Sequence, residues 1–177
     1  MIERLEEFRG AVFFRIKAHL DERGQFLKFF NASEFQKLGW PTKWVEQYVT
    51  TSQPGVLRGL HFQLPPHDHA KLVLVLSGKA FDVALDLRKS SPTYGQSRGV
   101  LLEAGEGVFL PKGFAHGFCV PGPDPAVLLY SATTEYAPAH DSGILWSSIN
   151  VDWPIREAIT SARDKSFPKF NEFKSPF

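Results

Sequence analysis

From Val56 to Ala132 the chain repeats one pattern: a short apolar run, often alternating with polar residues, closed by a turn that carries Gly or Pro. Period-two alternation describes a strand with one buried face, and turn signals this closely spaced leave little room for helices. Lys71 to Leu76 is one such run, Ser77-Gly78-Lys79 turns it, and Phe81 to Leu87 follows with Phe81, Val83, Leu85 and Leu87 on one face. That alternation predicts a half-buried strand. Further strands are expected at Val100 to Leu102, Val108 to Leu110, Phe114 to Val120 and Val127 to Ala132, divided by turns such as Gly105-Glu106-Gly107 and Pro121-Gly122-Pro123. The content of 16 Phe, 14 Gly and 13 Pro favours the same all-β reading, and the strand spacing suits a jelly roll.

Before this region, Ala11 to Ile16 reads as a strand, and Asp21-Glu22-Arg23-Gly24-Gln25-Phe26 as a turn leading into another apolar strand. Asn31 or Ser33 is expected to cap a short helix from Glu34 to Leu38, ended by Gly39 and Pro41. At 177 residues and 43% hydrophobic content, with no shift in composition, residues 1–177 are expected to form one domain. The tail from Ile155 is polar until Phe167, Phe170, Phe173 and Phe177, whose rings require cover from the body or from a partner subunit.

A formal net charge of +1, from 20 basic and 19 acidic residues, provides no overall field for nucleic acid or an acidic membrane, so an anionic ligand needs local cations. The opening MIERLEEFRG is charged where a signal peptide needs an apolar run, and no stretch reaches the length of a membrane span, so a cytoplasmic location is expected. Cys119 is the single cysteine, which excludes an intrachain disulfide and a zinc site built on several thiolates. It reads as a small buried apolar residue.

Two histidine neighbourhoods can handle protons or anions. One is Arg58-Gly59-Leu60-His61-Phe62-Gln63, followed by His67-Asp68-His69 and Lys71; the other is Pro111-Lys112-Gly113-Phe114-Ala115-His116-Gly117-Phe118. Simple alternation would put Arg58 and Leu60 on one face and Gly59 and His61 on the other, unless Gly59 twists the strand. The segment Gly105 to His116 resembles the second signature of the cupin superfamily. His67, His69 and His116 then form a candidate metal set, the basis of an alternative reading as a metal-dependent dioxygenase or isomerase. The acidic ligand expected after the histidine pair is missing: the chain continues Ala70-Lys71-Leu72, and an ammonium beside a divalent cation is unfavourable. His67 and His69 are accordingly read as loop residues after Pro65-Pro66.

A more specific resemblance covers most of the chain. Asp21-Glu22-Arg23-Gly24, Gly55 to Gln63, Lys71-Leu72-Val73, Phe81 to Gly95, Pro111 to Phe118, Tyr136-Ala137-Pro138 and Asp152-Trp153-Pro154 stand in the order seen in the dTDP-4-dehydrorhamnose 3,5-epimerase family, whose members are cupins without metal. The resemblance implies a cupin-type double-stranded β-helix, a jelly-roll barrel with short peripheral helices. It further implies epimerisation, without a cofactor, of a dTDP-linked 4-keto-6-deoxyhexose at C3, C5 or both, in deoxysugar biosynthesis of the rhamnose type. By similarity the base falls on His61, its orienting carboxylate on Asp164, the acid on Tyr130, and the group facing the ketone on Lys71. Arg58, Gln63, His116, Tyr136 and Arg163 fall on positions around the substrate. Arg23 would reach the diphosphate from a partner subunit through an exchanged N-terminal strand, with Phe26 near the base, which implies a homodimer.

The chemistry explains these residue types. A carbon beside a ketone loses its proton because the carbanion delocalises into an enolate, so the site needs a base and an oxyanion partner. Inversion then needs an acid on the opposite face, and a phenol can serve. Without the resemblance, Tyr130 reads first as a packed strand aromatic, and Asp164 equally as a solvated tail carboxylate. A sugar-binding cupin without catalysis would keep Arg23 and Arg58, but would not need His61, Lys71, Tyr130 and Asp164 together. The chain departs from the family pattern at Lys28, at Glu46-Gln47-Tyr48-Val49, at Ser131 and at Arg163. These departures leave open an epimerase for a different nucleotide-linked keto sugar.

Overall fold

Period-two alternation becomes a succession of short antiparallel strands in the computed structural model, which describes residues 2–177. The chain opens with β1 (Ile2–Phe8), β2 (Ala11–Ile16) and the small pair β3 (His19–Asp21) and β4 (Gly24–Phe26), then the helix α1 (Ala32–Lys37). The barrel continues through β5 (Glu46–Ser52), β6 (Leu57–Gln63), β7 (Lys71–Ser77), β8 (Lys79–Asp86) and β9 (Ser97–Glu103). It ends with β10 (Glu106–Leu110), β11 (Phe114–Cys119), β12 (Ala126–Ala132) and β13 (Asp141–Gly143), before the one-turn helix α2 (Ala162–Lys165).

Two sheets face each other. One has the order β1-β2-β10-β7-β12-β5 and the other β13-β6-β11-β8-β9, while β3 pairs only with β4. Late strands lie between early ones in both sheets, as the jelly-roll winding requires. Phe13, Val73, Val108 and Leu128 from the first sheet meet Ala84, Phe118 and Leu102 from the second, and together they form the central core. At roughly 1.5–3 kcal/mol for each large apolar side chain buried, this layer dominates the stabilisation. A second layer, around Phe35 and Trp40, covers the outer face of the six-stranded sheet. Cys119 is fully buried.

The third layer changes one expectation. Val83, Leu85 and Leu87 do share a face, but β8 is buried on both faces and not half-buried. Phe170, Phe173 and Phe177 fold back over the five-stranded sheet and take its outer face out of water. The cover required by the Phe-rich tail is therefore supplied by the same chain. The segment after Gly24 also differs from expectation, because β4 is three exposed residues and no apolar strand follows. The helix begins at Ala32 and is capped by Asn31, whose side chain accepts from the Glu34 amide. β1 and β5 were not legible as strands because they are sheet edges with largely exposed, polar residues, so the apolar alternation is weak. No helix among the described residues is long and apolar enough to cross a membrane.

Candidate active site

Residues from both sheets line a cavity of about 370 Å³. Its walls come from both sheets: β6 and β11 contribute Arg58, His61 and His116, whereas β7, β12 and β5 contribute Lys71, Tyr130 and Tyr48. Arg58 and His61 line the same cavity, while Leu60 points into the outer core, which corrects simple alternation along β6. The cause is a bulge. His61 pairs with His116 and Arg58 with Phe118, so three steps on β6 match two on β11. Gly59 absorbs the extra residue at φ +123°, and a Cβ there would lie 2.5 Å from Gly117 Cα, so only glycine fits.

His61 is held by Asp164, with Nε2 2.9 Å from Oδ1, and the other carboxylate oxygen accepts from the Gly59 amide at 3.0 Å. Asp164 is therefore no solvated tail carboxylate: it is 3% exposed, and Ser161 caps the turn that carries it. Burial alone would raise its pKa, but the hydrogen bonds from His61 and Gly59 prevail and hold it below the ordinary value. Burial lowers the His61 pKa despite the opposing pull of Asp164. A carboxylate accepting at Nε2 fixes the proton there and leaves the Nδ1 lone pair as the basic site.

Lys71 is buried, and its ammonium has no hydrogen-bond partner in the protein among the described residues. Desolvation brings its pKa down to about 8, against the attraction of Asp141 and Asp82. Tyr130 is also buried, and its ring stacks on Tyr48 with centroids 4.7 Å apart and planes 9° from parallel. Burial raises its pKa well above that of a free phenol, so the hydroxyl keeps its proton at neutral pH.

The remaining predicted positions divide. Tyr136 and Arg163 line the cavity and both bind Asp141, the former at 3.1 Å. His116 lines it too, with Nε2 2.8 Å from Asp82. Gln63 is buried in the wall, where its amide donates to the carbonyls of His67 and Glu135 and accepts from the Ala137 amide. Arg23 and Phe26 do not line this cavity; they sit on the exposed β3–β4 hairpin, where Arg23 binds Asp21. Sequence reasoning missed the roles of Asp82 and Asp141; His69 is a loop residue between β6 and β7 as expected, and the structure adds that this loop position lines the cavity. Asp82 carried a signal, being an acidic residue between Ala80 and Ala84, which face the central core from β8. The candidate metal set does not converge. His116 binds Asp82, His69 binds Gln63, His67 packs at a tilt against His140, and among the described residues no group of three or more His, Cys, Asp or Glu is placed to hold a metal.

The arrangement can remove a proton on one wall and deliver one from the other. A family model described as dTDP-4-dehydrorhamnose 3,5-epimerase matches residues 6–172. A dTDP-4-dehydrorhamnose 3,5-epimerase of Shigella flexneri is 42% identical over 169 residues, 93% of each chain. A dTDP-4-dehydrorhamnose 3-epimerase of Streptomyces niveus is 37% identical over 150 residues, 82% of this chain and 72% of that protein. The crystal structure of the Legionella pneumophila dTDP-6-deoxy-D-glucose-3,5-epimerase with dTDP-4-keto-L-rhamnose superposes with a TM-score of 0.91 at 35% identity, covering 98% of this chain and 94% of the other.

Proposed function

The chain belongs to the dTDP-4-dehydrorhamnose 3,5-epimerase family, and from that premise we propose that it inverts C3 and C5 of a dTDP-linked 4-keto-6-deoxyhexose in deoxysugar biosynthesis. The observation that carries this reading is the placing of His61 and Tyr130 on facing sheets across one cavity. Both target carbons flank the ketone, so one set of groups can serve each in turn.

His61 Nδ1 takes the proton from the carbon beside the ketone, and the electron pair moves onto the carbonyl oxygen to form an enolate. Asp164 stabilises the imidazolium, and the Lys71 ammonium lies against the developing oxyanion. The Tyr130 hydroxyl then gives its proton to the opposite face of the carbon, the carbonyl re-forms, and the configuration is inverted. Proton exchange with water resets His61 and Tyr130. Arg58 holds the diphosphate, as its planar fork suits phosphate oxygens, with Arg23 of the partner subunit completing the grip. A homodimer is part of this proposal, supported by the free-standing β3–β4 hairpin.

Incubation with dTDP-4-keto-6-deoxyglucose in deuterated water, read by NMR, tests the reading. The native protein is expected to place deuterium at C3 and C5 with inversion. Label and inversion at C3 alone would instead match the reaction named for the Streptomyces niveus relative. His61→Asn is expected to slow incorporation on the order of a hundred- to ten-thousand-fold with dTDP affinity kept. Incorporation at the parent rate would remove His61 as the base.

A further inference from the structure

We propose that the His69 imidazole is a second, uncharged hydrogen-bond donor beside Lys71, its Nε2–H directed at the substrate carbonyl oxygen as negative charge builds there. The inference rests on the epimerase reading above and assigns a further catalytic residue to it.

Placement comes first. Along β7, Lys71, Val73 and Val75 face the space between the sheets, while Ala70, Leu72 and Leu74 pack on the outer layer. His69 stands just before β7, two residues ahead of Lys71 and on the same side, and both line the cavity. Neighbours at this spacing on one strand face are roughly 7 Å apart at Cα, close enough for two long side chains to converge on one oxygen.

The proton on the ring is located by its neighbours. Gln63 presents its NH2 group 3.1 Å from His69 Nδ1, and the direction of that amide is settled on both sides. Its Nε2 faces the carbonyl oxygens of His67 at 3.0 Å and Glu135 at 3.2 Å, and its Oε1 accepts from the Ala137 amide at 2.6 Å. The Thr134 hydroxyl, 3.3 Å from the same Nδ1, donates to the His67 carbonyl at 2.9 Å. A proton on Nδ1 would point at the Gln63 NH2 group, donor against donor, so the neutral ring is best accommodated with Nδ1 as acceptor, sharing a Gln63 hydrogen with a neighbouring carbonyl, and with its own proton on Nε2. That nitrogen has no hydrogen-bond partner in the protein among the described residues, and it is not sealed from the cavity.

Burial, with Lys71 and Lys112 nearby, brings the His69 pKa down to about 3. The ring is thus neutral while Lys71 is charged between about pH 3 and about 8, and its donor is independent of pH in that range. A neutral imidazole can polarise a carbonyl as a donor, and preorganised oxyanion sites gain from more than one donor. A residue that only built the wall would not need a polar edge turned inward.

The test compares His69→Leu and His69→Gln with the native enzyme by steady-state kinetics and deuterium incorporation. His69→Leu is expected to lower kcat on the order of a hundred- to a thousand-fold, with exchange and inversion falling together and dTDP affinity unchanged. His69→Gln returns an N–H donor and is expected to recover most of kcat. Parental kcat in His69→Leu, or a raised KM with kcat intact, would overturn the proposal and leave His69 a wall residue. Should His69→Leu fail to fold, ¹⁵N NMR of the native protein decides: a proton on Nε2 supports the proposal, and one on Nδ1 overturns it. Failure of the native enzyme to exchange deuterium would instead count against the epimerase reading itself.

Discussion

Tyr130 differs from phenylalanine by one oxygen, and that oxygen separates two halves of the proposed reaction. Tyr130→Phe keeps the ring stacked on Tyr48 and leaves His61 and Lys71 in place. Substrate protons should still exchange with solvent by return to the original face, while inversion falls steeply; NMR in deuterated water measures both. A proportional loss of exchange and inversion would remove Tyr130 as the opposite-face acid. The ionisations predict a pH profile as well. His61 must be neutral to accept a proton, and burial lowers its pKa, so kcat/KM should fall on the acid side only below the ordinary histidine value of about 6.5. Lys71 must be charged, and desolvation sets its pKa at about 8, so activity should fall as pH rises through that value. An acid limb above 6.5 or a basic limb near the free-lysine range would contradict these assignments.

The β6 bulge is the element that converts an ordinary strand into half of the site. It turns Arg58 and His61 to the same side, and the Gly59 amide anchors the carboxylate that orients His61. Gly59→Ala would place a Cβ 2.5 Å from Gly117 Cα and 2.8 Å from the His116 carbonyl, in a backbone region that disfavours a side chain. The expected cost is about 1–3 kcal/mol from overpacking, with more from the positive φ, together with a loss of exchange. Thermal unfolding and deuterium incorporation measure the two effects, and a variant with native stability and activity would refute the account of the bulge. The potential for a bulge was legible in the glycine, but its presence depends on how β11 pairs. Strand β8 shows the same division: its alternation was readable, whereas burial of its outer face depends on phenylalanines more than 80 residues later.

At the scale of the molecule, the β3–β4 hairpin pairs with nothing else in the chain, and Leu20 and Phe26 are 77% and 59% exposed on it. The homodimer proposed above would give such an arm a second copy of the chain to lie against. Light scattering is expected to report a dimer, and Arg23→Ala to weaken dTDP binding although Arg23 lies outside its own chain's cavity; a fully active monomer would overturn both expectations. The all-β class, most strand positions and the identity of the chemical groups were legible along the chain, because period-two alternation, turn residues and side-chain type are local properties. Which groups meet was set by three-dimensional packing. Asp164 reaches His61 across 103 positions of chain, the loop residue His69 becomes part of the cavity wall, and Tyr130 faces His61 from the opposite sheet. Those relations arise from the winding of two sheets around one core, where residues distant in sequence are brought together by packing that no local pattern encodes.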